Sequence, residues 1–358
     1  MTEELVSKLK DEVDNYEQTV HATISFNHLI RWDETLNGDG GFIPGSYFYI
    51  GRKMDTSADN SISPNNRVTP DIVLQCDATY GIVGEVKKSL PMNREYWRKF
   101  VDQLIKYDDN LKGWHTADEN LDKSDIVLLT HIELKNSVLD FLKQKNDDGD
   151  LKLHRKFAYI VFFKTSGRRD KISFETAYGD LSNSQIDAVF KRFIHVPLDS
   201  VLFCNKDVKL YDSEPPLPYM MDLLWNYIFP QYISQNEFMD AQGKKHLVFE
   251  TEIDELKTKV REQFTYCENH DARQPDIPKI QWIRNAMEKF VSLKYAEKMS
   301  QSWNPSYLFV ATLDGFYFDE INEIIKNNGK ISYLKHPQIS DELQVKYLKI
   351  LTDFEKNN

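Results

Sequence analysis

The fold of this chain is organised around the stretch TPDIVLQCDATYGIVGEVKKSL, residues Thr69 to Leu90. It contains two runs rich in β-branched and apolar residues, Asp71–Gln75 and Ile82–Val86, which is the composition of buried strands. The segment between them, Cys76–Gly81, includes Asp, Thr and Gly, which favour a tight turn. The stretch therefore predicts a β-hairpin.

The predicted hairpin brings charged side chains together within strands that are otherwise apolar. If the turn is centred on Ala78, Asp71 lies opposite Glu85 on the neighbouring strand. Side chains alternate along a strand with a period of two, so Glu85 and Lys87 project from the same face as Asp71. Two carboxylates in such strands are costly to desolvate unless they hold a cation. Their oxygen atoms suit Mg²⁺ or Mn²⁺ rather than zinc.

The segment after the hairpin, Asn93 to Leu111, has the apolar periodicity of a helix. The residues at helical spacing are Tyr96, Trp97, Phe100, Val101, Leu104 and Tyr107. Gln103 and Tyr107 are four residues apart, so they lie on one face of the predicted helix.

The order and spacing of these residues resemble the PD-(D/E)xK nuclease superfamily, and in particular its RecB-like members. Pro70-Asp71 matches the PD half of the motif, and Glu85-Val86-Lys87 matches the ExK half. Gln103-x-x-x-Tyr107 matches the motif that RecB-like members carry on the helix after the ExK strand. The resemblance implies an α/β fold of the restriction-endonuclease type, in which helices flank a mixed sheet.

The resemblance also implies a role for each residue of the hairpin site. Asp71, Glu85 and the carbonyl oxygen of Val86 would be ligands of Mg²⁺ or Mn²⁺. Lys87 would position and polarise the attacking water and would stabilise the negative charge that develops on the phosphate.

Two predicted helices would complete the site. Gln103 and Tyr107 would line it and orient the lysine or the phosphate. In the superfamily an N-terminal helix often contributes a further glutamate, and residues 2–30 here predict such a helix. Glu12 and Glu17 flank its apolar stripe, and Glu17 is preferred as catalytic residue and metal ligand because more apolar residues surround it. The alternative is that both are ordinary glutamates at the border of a packed face.

Composition places the chain among soluble globular proteins, since 41% of its 358 residues are hydrophobic and 28% are charged. No apolar run approaches the roughly 20 residues that span a bilayer. The three cysteines are far apart and form no CxxC pair, which disfavours the iron–sulfur cluster of some RecB-like nucleases and favours the cytoplasm. No membrane partner is expected.

The net charge of −11 disfavours a protein that coats nucleic acid over a wide surface, but it allows a local basic groove. The sequence offers three basic segments for such a groove, Lys164–Lys171, Lys191-Arg192 and Lys244–His246. Each of them is also explained as a solvated loop or helix face.

The sequence lacks the motifs of several other enzyme classes. It contains no GxxxxGK[ST] motif for an ATP-driven motor, no HExxH motif and no GxSxG motif. The nine histidines show no metal-ligand spacing.

The chain is long enough for two domains at roughly 150 residues per domain. Alternating strand and helix patterns predict an α/β domain over residues 1–212, with Val201–Cys204 as its last short strand, and the resemblance implies that it is the nuclease domain. The proline-rich segment Asp212–Pro218 predicts a linker. Helical patterns and a closing hairpin predict that residues 219–358 form a mainly helical, winged-helix-like domain that binds DNA, a protein partner or a second copy of the chain.

The resemblance to RecB-like nucleases implies a Mg²⁺- or Mn²⁺-dependent nuclease that hydrolyses DNA in bacterial defence or in DNA repair. One alternative is a catalytically silent subunit that keeps the fold and serves as a DNA-binding or assembly module. Another is a nuclease that cleaves RNA, because such a metal site does not distinguish the sugar. Endonuclease and exonuclease action both remain open at this point.

Overall fold

The computed structural model describes residues 2–32, 46–56, 67–87, 94–115, 121, 123–166, 170–204, 208–232, 237–239, 245–265, 273, 276–292, 295–299 and 304–312. These residues belong to two compact units. The large-sheet unit contains the described residues of Glu17–Asp212 and Phe264–Ile277. The small-sheet unit contains those of Met1–Tyr16, Ser213–Gln263 and Pro278–Asn358. No helix in the described ranges is both long and apolar enough to cross a bilayer.

The predicted hairpin lies within a mixed seven-stranded sheet of the large-sheet unit. The strands of this unit are β1 (Tyr47–Ile50), β2 (Met54–Asp55), β3 (Arg67–Val68), β4 (Ile72–Gln75), β5 (Tyr80–Lys87), β6 (Lys123–His131), β7 (Phe157–Thr165), β8 (Lys171–Gly179) and β9 (Ile194–Pro197). The sheet has the order β1-β4-β5-β6-β7-β8-β9, and β2 and β3 form a separate pair. Strands β5, β6 and β7 are parallel to one another, whereas the other neighbours are antiparallel.

The helices of this unit follow the strands in an alternating order. They are the second half of α1 (Thr2–Trp32), then α2 (Arg94–Tyr107), α3 (Lys135–Asp147, after a 3₁₀ turn at Ile132–Leu134), α4 (Ser184–Lys191) and α5 (Leu198–Cys204). Because strands β5 and β6 are parallel, the chain must cross over between them, and α2 is part of that connection.

Helices cover both faces of the sheet. On one face, Val83 of β5 and Val161 of β7 share a buried apolar cluster with Leu104 of α2 and Val138 of α3. On the other face, Phe174 of β8 lies against α1 and α4. The ring of Phe26 is centred 6.2 Å from that of Phe174 and 5.0 Å from that of Phe190. The predicted α/β class, a mixed sheet flanked by helices, is confirmed.

The small-sheet unit contains a four-stranded antiparallel sheet and several helices. Its elements after α1 are α6 (Leu217–Leu223), a π turn (Leu224–Ile228), a 3₁₀ turn (Phe229–Tyr232), β10 (Glu237–Met239), β11 (Lys245–Glu252), α7 (Ile253–Phe264), α8 (Ile280–Ser292), β12 (Ala296–Lys298) and β13 (Ser306–Thr312). The sheet order is β10-β11-β13-β12. The predicted closing hairpin corresponds to β12 and β13, and the sequence did not predict β10 and β11.

One short element of the large-sheet unit was predicted wrongly. Val201–Cys204, predicted as a strand, belongs to helix α5, and the last strand of the sheet is β9. A short apolar run fits a strand and a buried helix equally well. Here Pro197 precedes the helix and Asp199 lies in its first turn, where a negative charge is favourable. The predicted helical tail from Phe316 to Asn358 lies outside the described residues.

Candidate metal centre

The register of the central hairpin places two carboxyl groups side by side. In the antiparallel pair β4–β5, Ile72 is opposite Gly84 and Gln75 is opposite Gly81. One further step along this register puts Asp71 opposite Glu85, with Ala78 at the centre of the turn. The structure therefore has the register that the sequence predicts.

The turn itself is closed by an aspartate. Asp77 Oδ1 accepts hydrogen bonds from the backbone N–H groups of Thr79 at 2.7 Å and Tyr80 at 2.9 Å. The backbone N–H of Cys76 also donates to the carbonyl oxygen of Tyr80 at 2.9 Å. An aspartate that binds the backbone two residues further on mimics a backbone turn, so these contacts fix the hairpin register locally.

The carboxylate of Glu85 is held by three side chains. Its Oε2 pairs with the ammonium group of Lys87, two residues further along the same face of β5. Its Oε1 accepts hydrogen bonds from Gln103 Nε2 at 2.6 Å and from the hydroxyl of Tyr107. Gln103 Nε2 also donates to the Tyr107 hydroxyl at 2.9 Å. The predicted strand and helix residues thus meet at one carboxylate.

Asp71 is held by the neighbouring backbone. Its Oδ2 accepts a hydrogen bond of 2.8 Å from the N–H of Val86. The side chains of Asp71 and Glu85 are buried, with 6% and 1% of each residue exposed. Burial, followed by the negative charge of Glu85, raises the pKa of Asp71 well above its usual value, although Lys87 and the Val86 N–H act in the opposite direction. Ionised Asp71 is therefore destabilised at neutral pH.

Lys87 and Tyr107 are both held in their protonated forms. Burial lowers the pKa of Lys87, but the charges of Glu85 and Asp71 outweigh this effect, so the pKa lies above its usual value. Burial and the charge of Glu85 raise the pKa of Tyr107 well above its usual value. At neutral pH the site therefore contains one ammonium group and one phenol, both donating hydrogen bonds to Glu85.

The donor set fits Mg²⁺ or Mn²⁺. Two buried carboxylates share a single lysine, which leaves a site where a further positive charge would stabilise ionised Asp71. Among the described residues, no group of three or more His, Cys, Asp or Glu side chains is arranged to hold a metal ion. Mg²⁺ keeps several waters and is commonly bound by one or two carboxylates and substrate phosphates, and Asp71 and Glu85 supply two carboxylates.

The structure does not bring the predicted helical glutamate into this cluster. Glu17 is an exposed residue of α1 and forms no ion pair within the described part of the chain. Within the large-sheet unit, α1 packs through Phe26 on the sheet face opposite to α2. Asp71 and Glu85 lie on the α2 face, since Gln103 and Tyr107 reach Glu85 from that side.

The structure adds one carboxylate that the sequence did not indicate. Asp212 is half-buried, and its negative charge contributes to the raised pKa of Asp71. The sequence signal around Asp212 is that of a linker, because prolines follow it closely. Asp212 follows Asp71 by 141 residues in the chain, so the tertiary structure brings its charge close to Asp71.

Comparison with known proteins assigns no function to the chain, so its function is argued from the geometry of this site. The chain matches no protein-family model, no curated protein and no solved structure with which it was compared.

Proposed function

We propose that this protein is a metal-dependent nuclease that hydrolyses phosphodiester bonds in DNA. The observation that supports this function best is the convergence of Asp71, Glu85, Lys87, Gln103 and Tyr107, which three separate sequence motifs contribute. An ordinary surface ion pair would not explain the two buried carboxylates or the two additional donors on Glu85.

Asp71, Glu85 and the carbonyl oxygen of Val86 are the groups that would hold Mg²⁺ or Mn²⁺. When bound, the metal supplies charge stabilisation for the scissile phosphate and activation of a water molecule. The motif residues on α2 hold Glu85 in one orientation through Oε1, so the ligand is preorganised before substrate arrives.

Lys87 acts in this proposal as an electrostatic group. In the metal-free site the charges of Glu85 and Asp71 raise the pKa of Lys87 against the effect of burial, so it carries an ammonium group at neutral pH. It donates hydrogen bonds that orient the attacking water, and its charge stabilises the negative charge developing on the phosphate oxygens.

We also propose the finer assignments that accompany this function. The large-sheet unit would be a PD-(D/E)xK nuclease fold of the RecB-like type, and the small-sheet unit a winged-helix-like module that engages DNA or a protein partner. The three helices α6, α7 and α8 followed by the β12–β13 hairpin support the second assignment.

The test is a cleavage assay of the full chain on linear, circular and single-stranded DNA, with an RNA of the same sequence. Each substrate is incubated with Mg²⁺, with Mn²⁺ and with EDTA. The proposal requires DNA cleavage with either metal and none with EDTA. Cleavage of circular DNA would identify an endonuclease, and cleavage of RNA alone would replace DNA as the substrate. A folded protein that cleaves nothing would favour the assembly role.

A further inference from the structure

A cleft of about 450 Å³ opens beside the two helix residues of the candidate metal centre. Gln103 and Tyr107, which both contact Glu85, form part of its wall. Its charged lining comes from Arg67 of β3 and from Lys99, Asp102 and Lys106 of α2. Gln103 and Tyr107 thus connect the cleft to the buried carboxylate of Glu85.

The two lysines that α2 contributes to the cleft lie one above the other along the helix axis. Lys99, Gln103 and Lys106 are separated by four and three residues, so they lie along one face of the helix. Seven residues of α-helix rise about 10 Å. One strand of duplex DNA carries a phosphate about every 3.4 Å of helix axis, so this distance spans about three phosphate-to-phosphate intervals along the axis.

The charge of the cleft has the opposite sign to the charge of the chain. The net charge is −11, yet the lining contains three cationic side chains and one carboxylate. Arg67 pairs with Asp55 at 3.2 Å, but Asp55 also pairs with Arg273 at 2.6 Å, so these three residues remain net positive. Lys99 and Lys106 are exposed, and Lys106 forms no ion pair within the described part of the chain.

The three basic segments that the sequence offers for a groove are not among the residues that line this cleft. Lys164 pairs with Asp170 at 3.2 Å, and Lys191 pairs with Asp187 at 2.6 Å. Arg168, Arg169 and Lys244 lie outside the described residues. The cationic residues of the cleft instead lie next to the candidate metal centre. This arrangement concentrates positive potential where a polyanion would be cleaved.

We propose that this cleft binds the sugar–phosphate backbone of the DNA strand next to the scissile bond. Lys99 and Lys106 contact two phosphates of one strand on either side of Gln103, and Arg67 of β3 adds a third cationic contact. The inference rests on the proposed function, since it takes Glu85 to mark the position of the scissile phosphate.

The test measures DNA binding separately from cleavage. The affinity of the full chain for a labelled DNA duplex is measured in EDTA over a series of salt concentrations, for Lys99→Ala, Lys106→Ala and Lys106→Arg. Each alanine variant is expected to bind about tenfold more weakly. The slope of log affinity against log salt should fall by about 0.9 for each lost phosphate contact. Lys106→Arg keeps the charge and should retain most of the affinity.

Lys143→Ala is the matched control, because Lys143 is an exposed lysine of α3. It removes the same charge elsewhere in the unit and should leave affinity and salt slope unchanged. If Lys99→Ala, Lys106→Ala and Lys143→Ala change the affinity and the salt slope equally, the cleft is not the binding site, even when the wild type cleaves DNA. If the wild type cleaves nothing but the two cleft variants lose affinity, the cleft is a DNA-binding site, whereas the nuclease proposal and the position of the cleft next to a scissile bond are both overturned. Absence of DNA binding by the wild type, or effects on a matched RNA alone, would overturn the cleft inference.

Discussion

Tyr107 donates its phenolic hydrogen to Glu85, 22 residues earlier in the chain, and so joins the end of helix α2 to the central strand β5. The buried hydroxyl has a raised pKa and remains a donor at neutral pH. Helix α2 therefore contributes more than apolar packing, since it fixes the orientation of a carboxylate that the proposed metal would use.

Removal of this donor should lower the cleavage rate without unfolding the protein. In Tyr107→Phe the ring still fills its place in the core, but Glu85 Oε1 loses one of its two helix donors. Loss of a group that orients a metal ligand typically costs about 10–100-fold in activity or metal affinity. Single-turnover rates on linear DNA would measure the effect.

Tyr159→Phe provides the control for that experiment. Tyr159 of β7 is also a buried tyrosine of the large-sheet unit, but its hydroxyl bonds to Thr130 Oγ1 at 2.8 Å. Its removal should leave the cleavage rate near the wild-type value. Equal losses in the two variants would mean that Tyr107 acts through general stability rather than through Glu85.

The buried Asp71 should lower the stability of the metal-free protein at neutral pH. The pKa of Asp71 is raised in the folded state. The protonated carboxyl group therefore stabilises the folded protein fully below pH 3.8, its usual pKa, and this stabilisation is lost as pH rises through the folded-state pKa. Asp71→Asn removes the ionisation, so in EDTA at pH 7 its melting temperature should exceed that of the wild type. A gain of 1 kcal/mol corresponds to about 2–4 °C for a unit of this size.

The pH dependence makes this prediction specific. The difference between Asp71→Asn and the wild type should shrink as pH falls toward 4, where the wild-type carboxyl is protonated as well. Melting curves from pH 4 to pH 8 would measure it. A variant that melts below the wild type at pH 7, or by a constant difference at every pH, would contradict the raised pKa.

Divalent metal should stabilise the wild type through the same carboxylates. A ligand that binds only the folded state at 100 times its Kd adds about 2.7 kcal/mol to the unfolding free energy. The melting temperature of the wild type should therefore rise in Mg²⁺ or Mn²⁺, relative to KCl of equal ionic strength. Asp71→Asn and Glu85→Gln should show little of this rise. An equal rise in all three proteins would place metal binding elsewhere.

The turn of the hairpin should be sensitive to a single acceptor atom. Asp77→Ala removes the oxygen that accepts from Thr79 and Tyr80, and should cost about 1 kcal/mol of unfolding free energy. Asp77→Asn keeps an amide oxygen in that place and should recover most of the loss. Urea unfolding of both variants would decide this, and equal stability of Asp77→Ala and the wild type would show that the register does not depend on this turn.

Local signals explain why the central hairpin and α2 could be predicted from the sequence. The Asp71–Gln75 run, the Asp77 turn and the Gln103–Tyr107 spacing each lie within a few residues, so pattern and turn chemistry suffice. The position of Glu17 depends instead on which sheet face α1 covers, and that is a tertiary contact through Phe26.

The parts that could not be predicted depend on distant segments. Arg67 and Lys106 reach one cleft from two elements with no shared sequence pattern, and Asp212 approaches Asp71 from across the unit. Strand β11 (Lys245–Glu252) pairs with β13, more than 50 residues later, so its place in a sheet was not evident from local sequence.

The most direct test of the central claim is the single-turnover rate of DNA cleavage in Mg²⁺ by the wild type, Lys87→Ala and Lys143→Ala. Thermal melting would first establish that all three proteins are folded. We expect cleavage by the wild type and by Lys143→Ala at similar rates, abolished by EDTA, and a loss of at least about 100-fold in Lys87→Ala. Metal-dependent cleavage that persists unchanged in folded Lys87→Ala would contradict it.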